Sequence, residues 1–210
     1  MIVDLTQTLA NGISIYPGTE EPVFEQWSTV KVDGSAVIRM SINTHSGTHM
    51  DAPAHFILNG KTLDQLEMEE LIGNGLVINC SGINKIDADH LKPFINQISK
   101  VKFLLFYTGW DQKWNTPEYL NPFPVLTPEA IEWLLQFPLK GLGFDSFSAD
   151  PIDSVDFPNH QLILGNGLLI IENLTNLDQL LNQSFDFYTI PLKIKDSDGS
   201  PIRAFAKLTN

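Results

Sequence analysis

The chain has 210 residues, with 13 Lys and Arg against 25 Asp and Glu, a formal charge of −12. At this length about 70% of the unfolded surface can be buried, and 43% apolar against 18% charged residues excludes a disordered chain. So acidic a surface repels phosphate backbones and anionic lipid, which argues against nucleic-acid and membrane partners, and it suits the holding of cations.

Cys80 is the single cysteine, so neither an intramolecular disulfide nor a thiolate metal cluster can form; a reducing, cytoplasmic setting fits. The opening Met1-Ile-Val-Asp-Leu-Thr lacks the basic stretch and apolar run of a secretory leader. Runs such as Phe103–Tyr107 are too short for a bilayer, which takes about 20 residues.

Short apolar runs alternate with Gly, Pro and Asn, without repeats or a linker. That pattern predicts one domain over residues 1–210, α/β in class and strand-rich. In chain order, the first strand spans Val37–Asn43, with Ile38, Met40 and Ile42 on one face by the two-residue period. Leu76–Asn79 follows, then a helix over Ala88–Gln97 that Pro93 interrupts, then the strand Phe103–Tyr107. Thr127-Pro128-Glu129 opens a second helix with a threonine cap, a first-turn proline and an acid at the positive end of the dipole. Ile131, Leu134 and Leu135 give it an apolar stripe. Gly141–Phe144, Leu168–Glu172 and Ile202–Lys207 complete the strands.

The chemistry concentrates in His45-Ser-Gly-Thr-His49-Met-Asp51-Ala-Pro-Ala-His55, which holds three of the five histidines and an aspartate. Imidazole and carboxylate are what zinc and manganese take where thiolate is absent. A helix would put His45 and His49 on one face and Asp51 and His55 on nearly the opposite one. A straight strand would separate His45 from Asp51 by about 20 Å. Donors to one ion must crowd together, so the chain has to bend; Gly47 can take the bend and Pro53 stiffens the exit. An open His2Asp set leaves room for water and substrate, and a surplus imidazole is a natural proton carrier at neutral pH.

This segment resembles the signature H-x-G-T-H-x-D-x-P-x-H-F of the cyclase family of metal-dependent hydrolases, whose best-known members are bacterial kynurenine formamidases (arylformamidases). Thr108-Gly109-Trp110, Phe144-Asp145-Ser146, His160, Glu172-Asn173-Leu174-Thr175-Asn176-Leu177 and Asp198-Gly199-Ser200-Pro201-Ile202-Arg203 extend the resemblance nearly end to end. It implies the swivelling β/β/α fold and two divalent ions, zinc foremost, with manganese as the alternative. His45, His49 and Asp51 would hold the first ion; Asp51 would bridge to a second, completed by His160 and Glu172. His55 would be the general acid/base. The resemblance further implies a homodimer or larger assembly whose neighbouring subunits help wall the pocket. Its substrate would be an aryl formamide of the N-formylkynurenine type, from tryptophan catabolism. The alternatives are a hydrolase of another linear or cyclic amide, such as an isatin-type ring, and a metal-stabilised binding protein without turnover.

The sequence departs from the formamidases at Tyr16-Pro17-Gly18-Thr19, where they carry W-P-G-D. Tyr16 keeps an aromatic face for the substrate but a smaller one with a phenol. Asp145, Ser148 and Asp150 read as a loop with local hydrogen bonds, with support of the site as the second reading. His90 reads as a surface residue and Cys80 as buried packing.

Overall fold

The computed structural model describes residues 1–209. Phe103–Tyr107 runs through the middle of a nine-stranded mixed sheet, between Ile72–Asn79 and Gly141–Phe144, and is parallel to both. Phe103 and Leu105 face one apolar cluster while Leu104 and Phe106 face another, so this strand is buried on both sides and reads as an unbroken apolar run. The full order is Ile2–Asp4, Phe205–Leu208, Phe185–Tyr188, Ile72–Asn79, Phe103–Tyr107, Gly141–Phe144, Leu169–Glu172, His49–Asp51 and Gly199–Pro201.

The connectivity forces this sheet to curl. Gly199–Pro201 and Phe205–Leu208 stand seven places apart in the order, which in a flat sheet means roughly 34 Å. The residues between them can reach at most about 14 Å. The Ala204 carbonyl accepts from Leu5 N at 3.0 Å and Ile202 N donates to the Thr48 carbonyl at 3.0 Å, stitching the curl. The strand expected over Ile202–Lys207 therefore forms only from Phe205 onward, because Ile202–Ala204 carry the chain from one edge of the sheet to the other.

One cluster, with Val3, Met50, Phe103, Ile171 and Phe187, fills the inside of the curl. The outer cluster lies under short helices. Pro128–Leu134 starts as expected, with Thr127 Oγ1 accepting from Ala130 N at 3.2 Å. The expected helix Ala88–Gln97 splits into Ala88–Leu91, a 3-10 turn at Lys92–Phe94 and Ile95–Ile98, since Pro93 has no N–H for the ladder. The helix Pro158–Gly165 stands in a stretch where the sequence pattern marked no element.

Val37–Ser41 pairs with Val23–Ser28 as a separate hairpin, and neither face of Val37–Ser41 is covered. Trp27 is 67% exposed and Val32 81%. Among the described residues, no helix is long and apolar enough to cross a membrane.

Candidate metal centre

His49–Asp51 pairs antiparallel with Leu169–Glu172, and the register sets His49 opposite Glu172. Strand alternation sends Met50 into the inner core, leaving His49 and Asp51 on the helix-covered face. There Pro158–Gly165 packs against Leu169–Glu172 and delivers His160. His45 returns to the same place through a turn at Gly47, whose φ is +63°; a Cβ at that position would stand 2.5 Å from Leu9 Cδ2. Pro53–His55 forms a 3-10 turn that sets His55 over the strand end. The kink that the donor spacing required is thus present.

His49, Asp51, His160 and Glu172 are all at least 95% buried. His49 Nε2 lies 3.4 Å from Asp51 Oδ1 and 3.4 Å from Glu172 Oε2. His160 Nε2 lies 3.3 Å from Glu172 Oε1 and 3.6 Å from Asp51 Oδ2. These gaps are long for charge-assisted hydrogen bonds, which close to about 2.8 Å. Two donors held ~2.1 Å from one ion at a tetrahedral angle lie about 3.4 Å apart, which is the spacing seen. Asp51 Oδ2 is buried with no hydrogen-bond partner, a costly state that a cation would relieve. The residues present therefore fit a divalent metal. Two donor groups, His45–Asp51–His55 and His49–Asp51–Glu172, each lie within 4.8 Å and share Asp51.

The far side of each ring is anchored. His49 Nδ1 donates to the Gly47 carbonyl at 2.8 Å and His160 Nδ1 to Asp150 Oδ2 at 2.7 Å, so both rings turn Nε2 towards the carboxylates. Such anchoring fixes tautomer and orientation in metal sites. Asp150 also accepts the Asn159 and His160 backbone N–H groups at 2.9 Å, which caps the helix. Glu172 Oε1 accepts from Ala149 N at 2.8 Å. Asp150 thus has more than a local loop role. Asp145 instead ties down Thr108 and Gly109, accepting from both backbone N–H groups at 2.8 Å.

Charge follows the same geometry. Burial opposes charge on His49, but the carboxylates of Asp51 and Glu172 facing its Nε2 win and raise its pKa to about 10. His160 is pushed up to about 12 against burial, first by Asp150. His45 rises to about 9 against burial through Asp51 and Asp198, which face its two nitrogens. His55 goes the other way: burial lowers its pKa, outweighing the attraction of Asp51.

Above the donors opens a cavity of about 230 Å³ whose floor includes His45, His49, His55, His160 and Glu172. Tyr16 forms part of its wall, 5.8 Å from the Phe147 ring, with its hydroxyl donating to the Ile152 carbonyl at 3.4 Å. Tyr16 lies in the wall, away from the donors. Phe56, Phe147 and Phe157 complete the aromatic wall. Phe147 and Phe157 are functional candidates that no motif marked. Phe157 sits before Pro158 at φ +46°, a left-handed conformation strained for a bulky residue, and its ring lies 5.9 Å from His160. Sequence could have flagged only its proline neighbour. Cys80 is fully buried, and His90 lies outside the site in the turn that Asp87 caps.

The Cyclase family model matches residues 3–151. The kynurenine formamidase of Bacillus thuringiensis subsp. konkukian (strain 97-27) is 31% identical over 206 residues, covering 98% of this chain and 96% of the relative. That of Erythrobacter litoralis (strain HTCC2594) is 33% identical over 208 residues, covering 98% and 93%. A crystal structure of an isatin hydrolase bound to the product analogue thioisatinate superposes with a TM-score of 0.89 at 29% identity, over 99% of this chain and 92% of the other. Isatin hydrolase A from Ralstonia solanacearum superposes at 0.88 with 26% identity, over 100% and 92%. The chain belongs to the cyclase family.

Proposed function

We propose that this chain is an arylformamidase-like, metal-dependent hydrolase that converts N-formylkynurenine or a similar aryl formamide into the free amine and formate. The observation that carries the reading is the ring of buried histidine and carboxylate donors at the floor of an aromatic cavity, with the unpartnered Asp51 Oδ2 at its centre. His45, His49 and Asp51 would hold one divalent ion, and Asp51, His160 and Glu172 a second. Zinc suits such donors, with manganese the alternative. When bound, the metal supplies Lewis acidity, lowering the pKa of water and polarising a carbonyl oxygen.

The chain's own groups do the rest. The aromatic wall, Tyr16 included, packs the aryl ring and excludes water from around it. Water adds to the formamide carbon and His55 takes its proton. The C–N bond then breaks with its electron pair on nitrogen, and His55 returns the proton there. A histidine whose pKa lies below the ordinary value is neutral at pH 7 and free to accept that proton.

The exposed hairpin supports a homodimer. Its strands lead back to Thr19–Glu20 and Asn43–His45, which line a second opening beside the first, so a partner seated on it would extend the pocket wall. An uncovered apolar surface of this kind marks an interface. A single, buried, unpaired cysteine is compatible with the cytoplasm.

A cyclic amide such as isatin is the second reading, and one observation favours it. The residues lining the cavity include no Lys or Arg to take the carboxylate of an amino-acid tail. Purified protein assayed for kynurenine and formate release and for isatin opening, with and without chelator, separates the readings. The proposal expects formamide turnover that chelation abolishes. Isatin opening alone would favour the second reading. A metal-dependent melting temperature without turnover would indicate a binding protein.

A further inference from the structure

The segment Asp198–Arg203 belongs to the family resemblance and lies against the 45–55 segment. Gly199–Pro201 forms the edge strand against His49–Asp51, and the Asp198 carbonyl accepts from Ala52 N at 2.8 Å. The backbone therefore holds Asp198 beside the kinked 45–55 segment whatever its side chain does. Gly199 lets the two approach: a Cβ there would stand 2.6 Å from His45 Cε1.

The Asp198 side chain meets three groups of that segment. Oδ1 accepts from Thr44 Oγ1 at 3.1 Å. Oδ2 accepts from His45 Nε2 at 3.0 Å and lies 3.3 Å from His55 Nδ1. The His45 and His55 rings stack with centroids 3.9 Å apart, one edge of the pair turned to this carboxylate. His49 and His160 have private hydrogen-bonded anchors in Gly47 and Asp150, whereas His45 hydrogen-bonds Asp198 and His55 meets the same carboxylate oxygen across a longer gap. A carboxylate beside one imidazole nitrogen keeps the proton there and leaves the other nitrogen available for chemistry.

We propose that Asp198 is a positioning residue that serves His55 and His45 together, fixing His55 with Nδ1 outward and Nε2 towards the substrate. Proton delivery to the departing amine is thereby tied to the ring that holds the metal. The inference rests on the hydrolase reading, with His55 as its acid/base.

The test compares wild type, Asp198→Asn, His55→Ala and the double variant, all at saturating zinc. Asp198→Asn should lower kcat by about 10- to 100-fold with KM nearly unchanged. The loss should be larger for formanilides with a basic leaving amine, where His55 both takes and returns the proton, than for a 4-nitrophenyl ester, whose leaving group needs no proton returned. Saturating zinc keeps the site at His45 filled, so in the His55→Ala background Asp198→Asn should cost little further. Losses that multiply, or that are equal on both substrates, would overturn the proposal. So would a kcat as in wild type. A readout independent of turnover is the nitrogen-15 spectrum of labelled histidine. The wild-type His55 proton should reside on Nδ1 and shift towards Nε2 in Asp198→Asn. An unchanged tautomer overturns the proposal even if wild type hydrolyses no amide, an outcome that would by itself refute only the hydrolase reading.

Discussion

Two sets of side chains meet at Asp51, and they differ in burial and anchoring. His49, His160 and Glu172 are almost fully buried, and each has its own anchor in Gly47, Asp150 or Ala149. His45 and His55 expose about a quarter of their side chains (25% and 26%) and share Asp198. Carboxylates surround the first set closely enough to raise the pKa of His49 and His160 despite burial, whereas His55 receives too little compensation and its pKa falls. The same residue type thus sits in two different electrostatic settings. A rigid, acid-lined nest suits a cation, and a half-exposed ring with one flank at the cavity suits proton traffic.

The substitution most damaging to this division is at the shared point. Asp51→Ala removes a donor from both groups and should abolish metal binding and turnover together, read by metal analysis and formate release. His55→Ala should keep the metal and lose about 10²- to 10⁴-fold in kcat; loss of metal in this variant would merge the two sets. Asp150→Ala frees the back of His160 and uncaps its helix, so metal affinity should fall about 10- to 100-fold in a competition titration.

Acidity redraws the contrast, setting His55 apart from the other histidines. In metal-free protein, protonated His45 and His49 stabilise the fold because their pKa values stand at about 9 and about 10 against an ordinary 6.5. That contribution is complete below pH 6.5 and is lost as pH climbs through 9 to 10. The metal-free melting temperature should fall across that window. Metal binding must displace the same protons, so its affinity should rise with pH. The smallest effect lies outside the site. Trp27→Ser on the hairpin should change monomer stability by less than about 0.5 kcal/mol while weakening self-association in sedimentation.

The candidate donors at 45–55 were readable because their constraint is local. Five residues lie between His45 and Asp51, and only a bent chain brings their side chains together; Gly47 supplied the bend. His160 and Glu172 come from elements more than 100 residues away, so the family pattern alone could point to them. Phe147 and Phe157 stayed hidden, and Asp150 could be given support of the site only as a second reading, because their places depend on how a loop lies against a helix start, which no period encodes. Short apolar runs bounded by turn residues located Phe103–Tyr107 and Gly141–Phe144 within their observed bounds. The two-residue alternation at Val37–Asn43 could not reveal that its faces would remain uncovered. Periodicity specifies which residues share a side, and the covering surface comes from elsewhere in the fold or from another molecule.

Metal analysis of purified wild type beside Asp51→Asn, a nearly isosteric change that removes the charge, tests the central claim most directly. The account predicts stoichiometric divalent metal in wild type and almost none in the variant, with both chains folded by circular dichroism. Equal metal content in the two, or none in a wild type that still hydrolyses amides, would contradict it.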